Sequence, residues 1–333
     1  MIRRLFATGL TAAVLATGAA SLAATGSASA TSLTKVRYVY DFPGPDMELT
    51  PLVVAQDQGY FKAAGLDVSV LFPPNTSTTS QMLTTGSADI GFLTTSDMAV
   101  AVQAKAPLIS IANFSMKNNW GLFAKPGSTL TLTNLKGKKI FSWGDTWTNA
   151  MMPFVLKKAG LSAKDVTIIT ASNDTPLLLA GKIDFTTSTT NYADPGIVGA
   201  TGKKPVGIVG TAAGVPNIPV WVYAVTKSYA SKQPATAKAF LSAILAATKW
   251  ASANPTKAAT EFDKAYPKSG YSNAYNLMGW QETIPLLTNA QGKYFVQTDA
   301  QWSTLDQGLK ATKQITTIPA PSTYYTNSLL PKQ

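Results

Sequence analysis

A short pattern of apolar and polar positions occurs twice along the chain. Residues 83–96 read LTTGSADIGFLTTS, and residues 177–188 read LLLAGKIDFTTS. Each copy predicts the end of a helix, a glycine stop, an acidic turn, a brief apolar strand and a cluster of hydroxyls. Gly86 and Gly181 stand where a left-handed helix C-cap is needed. The apolar runs at 90–93 and 183–185 suit strands covered on both faces of a parallel sheet. The hydroxyls then fall at strand carboxyl ends, where open α/β sheets bind ligands. Two such units predict either two similar lobes with a cleft between them or two unrelated helix-turn-strand units.

Around these units, β-formers bounded by turn residues predict strands at 35–40, 67–72, 108–111, 120–125, 139–143, 166–170, 205–209 and 220–226. Helices are predicted from Thr50 towards Gly59, with Thr50 as N-cap and Pro51 in the first turn, and at 77–85, 98–103, 149–159 and 175–180. From Pro234 onwards the pattern is helical, at 235–253, 256–265, 272–283 and 300–312. On the first of these Phe240, Leu241, Ile244, Leu245 and Thr248 form one stripe, which reads as core rather than as a partner-binding face. Strands alternating with helices predict an α/β chain of mostly parallel sheets, its helical final third packing back on the first lobe. Cuts near 120–125 and 214–220 predict a hinge of two crossings. The expected division is a signal peptide at 1–30, the first part of lobe I at 31–121, lobe II at 122–217, and the completion of lobe I at 218–333.

The signal peptide rests on Arg3 and Arg4, an apolar stretch of small residues, and Ala28-Ser29-Ala30 before the expected cut. Glycines and hydroxyls interrupt that stretch, so it does not read as a membrane anchor. Without Arg3 and Arg4 the formal charge falls from +11 to +9, and Arg37 is the one arginine left. The scattered lysines form no arginine-rich or basic-aromatic stripe, so no nucleic-acid partner is expected. The chain has no histidine and no cysteine. That removes Ser-His and Cys-His catalysis, nitrogen and sulfur ligands for zinc, and disulfides. No metal and no cofactor is expected, and the chain reads as a monomer.

Three stretches resemble the substrate-binding proteins of ABC importers for thiamine pyrimidine precursors, alkanesulfonates, nitrate and related small compounds. Residues 55–68, AQDQGYFKAAGLDV, are similar to that family's AxxxGYFxxxGLxV signature. Gly86-Ser87-Ala88-Asp89-Ile90-Gly91 and its hydroxyls form the second, and Gly214-Val215-Pro216-Asn217 resembles a turn of the pyrimidine-precursor branch. The resemblance implies a type II periplasmic-binding-protein fold with ligand between two lobes. In the pyrimidine branch strand one ends in an Asp-Trp pair and a histidine-bearing loop. Here Asp41-Phe42-Pro43 stands in that place, with Asp46, Met47 and Glu48 in the loop. Some relatives make the pyrimidine with a histidine and a cysteine cluster, and this chain has neither residue type, so no enzyme activity is expected.

The candidate ligand-binding residues are Asp41, Phe42, Thr94, Thr95, Ser96, Asp145, Thr146, Trp147, Thr148, Asn191 and Tyr192. Phe42 either stacks on a flat ligand or anchors its loop, and Asp41 either accepts from an amine or makes an Asx turn. Thr94, Thr95 and Ser96 lead into a helix; one hydroxyl suffices for a cap, so three favour a ligand. In lobe II, Trp147 is expected to close over the ligand opposite Phe42, Trp143 to face the core, and Tyr192 to offer a ring and a hydroxyl or to pack at the surface. Trp120 and Trp221 read as hinge packing. The leading function is an exported solute-binding protein delivering a small aromatic heterocycle to the membrane permease of an ABC importer, in the periplasm or cell envelope. Alternatives are a binder of alkanesulfonate or nitrate-like anions, an extracytoplasmic hydrolase and a sensory domain. N-terminal sequencing of the exported protein should begin at Thr31; a mature chain that keeps residues before Ala20 overturns the expected leader.

Overall fold

The computed structural model describes residues 32–75, 77–171 and 173–333, and the expected leader at 1–30 lies outside the described residues. The chain first lays down β1 (Thr34–Val39), β2 (Leu66–Leu71), β3 (Ile90–Thr94) and β4 (Leu108–Asn113). It then crosses to a second sheet of β5 (Trp120–Ala124), β6 (Lys139–Phe141), β7 (Thr167–Ile169), β8 (Phe185–Thr189) and β9 (Val206–Val209). A second crossing returns it to the first sheet as β10 (Trp221–Thr226). The sheet orders are β2-β1-β3-β10-β4 and β7-β6-β8-β5-β9.

The two orders are one order used twice. In each sheet four strands run one way and one runs against them: β10 pairs antiparallel with β3 and β4, and β5 with β8 and β9. Both reversed strands follow a crossing directly. A chain that leaves one lobe at a strand's carboxyl end enters the next lobe at the matching edge, and its first strand must run away from that edge. The direction of β5 and β10 therefore follows from the crossings at residues 114–119 and 210–220. Gly121 is a tight point of this arrangement, since a Cβ there would lie 2.1 Å from the Ile208 carbonyl oxygen.

Helices α1 (Thr50–Asp57), α2 (Tyr60–Ala63), α3 (Thr78–Thr84) and α4 (Thr95–Gln103) belong to the first sheet's connections, and α5 (Thr146–Lys158), α6 (Thr175–Leu179) and α7 (Thr190–Thr201) to the second's. The tail adds α8 (Lys227–Lys232), α9 (Pro234–Ala253), α10 (Pro255–Ala265), α11 (Asn273–Thr283) and α12 (Asp299–Ala311). α9 and α10 pack on α1, and the stripe of Phe240, Leu241 and Ile244 is buried, as its spacing implies. The tail, expected to complete lobe I, also reaches the helices of the second sheet. α11 lies against α7, and α12 against both α4 and α5. Gly279 lets α11 sit this close: a Cβ there would come within 2.7 Å of Met47 and 2.8 Å of the Asn191 carbonyl oxygen. Thr50 is corrected from N-cap to first residue of α1, because a 3-10 turn at Met47–Leu49 runs directly into the helix.

The repeated pattern has a shared structural job. Gly86 and Gly181 take φ of +73° and +68°, and the acids after them reach back to the neighbouring strand. Asp89 Oδ2 accepts from the Arg37 backbone N–H at 2.8 Å while the Asp89 N–H donates to the Arg37 carbonyl at 2.9 Å. Asp184 does the same with Lys139, at 2.8 Å in both directions. Each acid thus sets the register between the central strand of its sheet and the parallel neighbour beside it, β3 with β1 and β8 with β6. Asp89→Ala and Asp184→Ala should each cost about 1–2 kcal/mol in urea unfolding; loss-free substitution at both sites contradicts the shared clamp.

Candidate functional site

The loop after β1 carries Asp41, Asp46 and Glu48 into the seam between the two sheets, where all three are buried. Asp46 caps the 3-10 turn by accepting from the Glu48 N–H at 3.0 Å. It also accepts from the Tyr40 hydroxyl at 2.5 Å. Asp41 Oδ2 accepts from the Trp221 indole N–H at 3.1 Å, and Glu48 Oε1 accepts from the Asn191 amide at 3.0 Å across the seam. Asn191 is itself held by Asn119 of the first crossing at 2.8 Å. Asp46 Oδ2 and Glu48 Oε2 have no hydrogen-bond partner.

An aromatic column stands beside these acids. Tyr40 stacks on Phe92 with centroids 5.3 Å apart, and Phe92 on Trp221 at 6.2 Å. Tyr192 lies 6.4 Å from Trp221 from the second lobe's side. Burial pushes Asp41 and Glu48 well above the usual carboxylate range. Neighbouring acids add to this, Asp46 and Asp97 for Asp41, and Asp46 and Asp41 for Glu48. Burial pushes Asp46 up to about 6 against the pull of Tyr40, the Glu48 N–H and Tyr192.

A second set of contacts joins the two lobes around Asp97. Thr94 caps α4 by accepting from the Asp97 N–H at 3.0 Å, and its hydroxyl donates to Asp97 Oδ2 at 2.7 Å. From the second lobe Thr146 donates to Asp97 Oδ1 at 2.8 Å and lies 2.8 Å from the Ser96 hydroxyl. The two sides are related by the doubled topology. The β1 loop of one lobe meets the turn after β8, and the β6 loop of the other meets the turn after β3.

The sequence-predicted residues therefore divide. Asp41, Asn191 and Tyr192 meet at the acid side, and Thr94, Ser96 and Thr146 meet around Asp97. Thr95 is spent on the second crossing, donating to the Pro219 carbonyl at 2.9 Å. Asp145 caps α5, accepting from the Thr148 N–H at 2.7 Å, and Thr148 is buried beside it. Phe42 is exposed. The two lobe II tryptophans are corrected: Trp143 is 45% exposed and Trp147 only 3%. β6 ends at Phe141 and leaves Trp143 beyond the sheet, whereas Trp147, Ala150, Met151 and Val155 share the buried face of α5. Trp147 thus packs in the core and does not stand opposite Phe42. Asp46, Glu48, Asp97, Tyr40 and Trp221 are additional. The signal for the first two was two acids in a short loop flanked by apolar residues. Trp221, read as hinge packing, is drawn to the site by its indole bond to Asp41.

Because the folded pKa of each acid in the trio is raised, its stabilising contribution is complete below its ordinary range and is lost as pH rises. For Asp46 the window runs from 3.8 to about 6. The ligand-free protein should lose thermal stability as pH rises across that window, and Glu48→Gln should lessen the loss. A melting temperature that rises across the window would contradict uncompensated burial.

The fold and sequence comparisons agree. A protein from Bordetella bronchiseptica RB50 superposes with a TM-score of 0.63 at 25% identity, over 89% of this chain and 95% of the other. The alkanesulfonate-binding protein SsuA from Xanthomonas axonopodis pv. citri, bound to MOPS, gives 0.66 at 18% identity, over 88% and 98%. This is the periplasmic-binding-protein fold. A Haemophilus influenzae protein assigned to thiamine biosynthesis is 22% identical over 72% of this chain and 76% of its own length. The Saccharomyces cerevisiae 4-amino-5-hydroxymethyl-2-methylpyrimidine phosphate synthase THI13 is 27% identical over 68% and 69%. Residues 46–258 match the NMT1/THI5-like family, and the chain belongs to it.

Proposed function

We propose that the chain is an exported solute-binding protein that holds a small, amine-bearing aromatic heterocycle of the aminopyrimidine kind in the seam and delivers it to the permease of an ABC importer. The observation that carries this reading is Asp41, at the carboxyl end of β1, hydrogen-bonded to Trp221 and flanked by Asp46 and Glu48. Carboxylates beside a stacked aromatic column suit ring amino groups and a flat ring face. The same acids repel a sulfonate or nitrate. Arg37, the arginine that could clamp such an anion, lies within β1 and is engaged by Asp89 at 2.7 Å. The thiamine-related roles of the Haemophilus influenzae and Saccharomyces cerevisiae relatives support the pyrimidine class.

Binding rather than synthesis is favoured because the chain has no histidine or cysteine to serve as a catalytic base or nucleophile. The lobes, joined at residues 114–119 and 210–220, are read as bodies that close on the ligand, since Glu48–Asn191 and Asp97–Thr146 contacts form only when the seam is shut. The absence of a helix long and apolar enough to cross a membrane among the described residues is compatible with an extracytoplasmic protein.

A thermal-shift series tests the reading. 4-Amino-5-hydroxymethyl-2-methylpyrimidine should raise the melting temperature, while ethanesulfonate and nitrate should not. In calorimetry Asp41→Asn should weaken pyrimidine binding by about tenfold or more. A shift with ethanesulfonate alone overturns the proposal.

A further inference from the structure

Three acids from one loop are buried together with only neutral donors around them. Tyr40, the Glu48 N–H, Trp221 and Asn191 supply the hydrogen bonds, the neutral Tyr192 hydroxyl stands close to Asp46 and Glu48, and two carboxylate oxygens have no hydrogen-bond partner. We infer that the seam takes its ligand as an organic cation, and that a proton carried by the buried acids Asp41, Asp46 and Glu48 leaves them as the cation forms there, to solvent when the ligand arrives charged and to the ligand when it arrives neutral. The inference rests on the seam being the ligand site.

Three ionised carboxylates buried without a counter-ion are strongly unfavourable, so the closed seam needs positive charge from protons or from a ligand. The surroundings offer none. Asp97 faces the trio from α4, Tyr192 from α7, Tyr271 and Tyr275 from the start of α11, and Tyr38 and Tyr223 from the first sheet. On α10, Asp263 is taken up by Asn273 and Asn276. Lys204, which joins α7 to α11, is engaged by Asp194 at 2.9 Å and Glu282 at 2.6 Å. Every titratable group facing the trio is an acid or a phenol.

The geometry also selects the kind of cation. Among the described residues no three acids converge closely enough to hold a metal ion. The carboxylates have separate partners, Asp41 at Trp221, Asp46 at Tyr40 and Glu48 at Asn191, and Trp221 and Tyr192 supply aromatic surface. A spread of acids beside aromatic rings fits a charge distributed over a flat ring or carried by an ammonium group against a ring. Burial that raises Asp41 and Glu48 well above the carboxylate range supports a proton held by the free protein's trio, while Asp46, raised to about 6, is the acid that ionises first.

Calorimetry with benzylamine, already cationic at neutral pH, in two buffers of different ionisation heat should show about one proton released per ligand, whereas the aminopyrimidine, largely neutral in solution, takes up the site's own proton and should bind with almost no net release. Affinity should rise with pH as the trio loses its proton and fall once the ligand loses its own. Glu48→Gln keeps an acceptor for Asn191 and should abolish most of the proton release. Infrared spectra of the free protein at neutral pH should contain a protonated-carboxyl band that shrinks in Glu48→Gln. Benzylamine should raise the melting temperature and its neutral counterpart benzyl alcohol should not. Absence of the band, benzylamine binding without proton release, or an equal response to the amine and the alcohol each overturns the inference. If the pyrimidine gives no shift while the band and the benzylamine response are present, the pyrimidine assignment falls and the cation inference stands.

Discussion

Burial of Asp41, Asp46 and Glu48 without a countercharge is the constraint on which the seam depends. Ordinary folding removes such groups from water only when they are paired. Here a polar loop is held inside by Tyr40, Asn191 and Trp221, and two oxygens are left unbonded. Free energy given up in this way is recovered when a complementary group arrives, which is how a binding site differs from a core. The closed seam is thus conditional: its stability depends on what neutralises the acids.

The doubled sheet order explains why the acids meet partners from the other lobe. Parallel strands bring their carboxyl ends to one edge, so loops and helix starts from both lobes converge there. The β1 loop of lobe I reaches the turn after β8, and the β6 loop of lobe II reaches the turn after β3. The two contacts differ in chemistry despite this symmetry. One side buries three acids against an amide and aromatic rings, and the other satisfies a single acid, Asp97, with hydroxyls from both lobes.

The C-terminal helices add a further coupling. α11 touches α7, and α12 touches both α4 and α5, while one apolar core includes Met98, Met151 and Trp302. Opening the lobes would slide these contacts as well as break the seam's hydrogen bonds. Lys204, bound to Asp194 on its own lobe and to Glu282 on α11, places a charged tie across the same junction. Such an exposed tie is worth little by itself, and the apolar packing beneath it carries more of the resistance.

The sequence by itself determined the local elements and the order in which they occur. Helix and strand periodicities, Gly86 and Gly181 at left-handed caps, and the acids after them all acted over a few neighbours, and the structure keeps them. The two-lobe α/β class was equally legible, because alternation of strands and helices is a property of consecutive residues. The site was legible only in part. Asp41, Asn191 and Tyr192 stand at strand ends or helix starts, where topology alone directs them to the seam. Trp147 and Trp143 exchanged their expected places because exposure depended on where a three-residue strand stopped and which face of α5 turned inward. The helical tail was placed on one lobe because amphipathicity tells that a face is buried, not which surface buries it. Trp221, Glu48 and Asp46 became a site only through partners far away in the chain. Their burial, their shared charge and their unbonded oxygens are properties of a packed assembly, and tertiary structure alone could decide them.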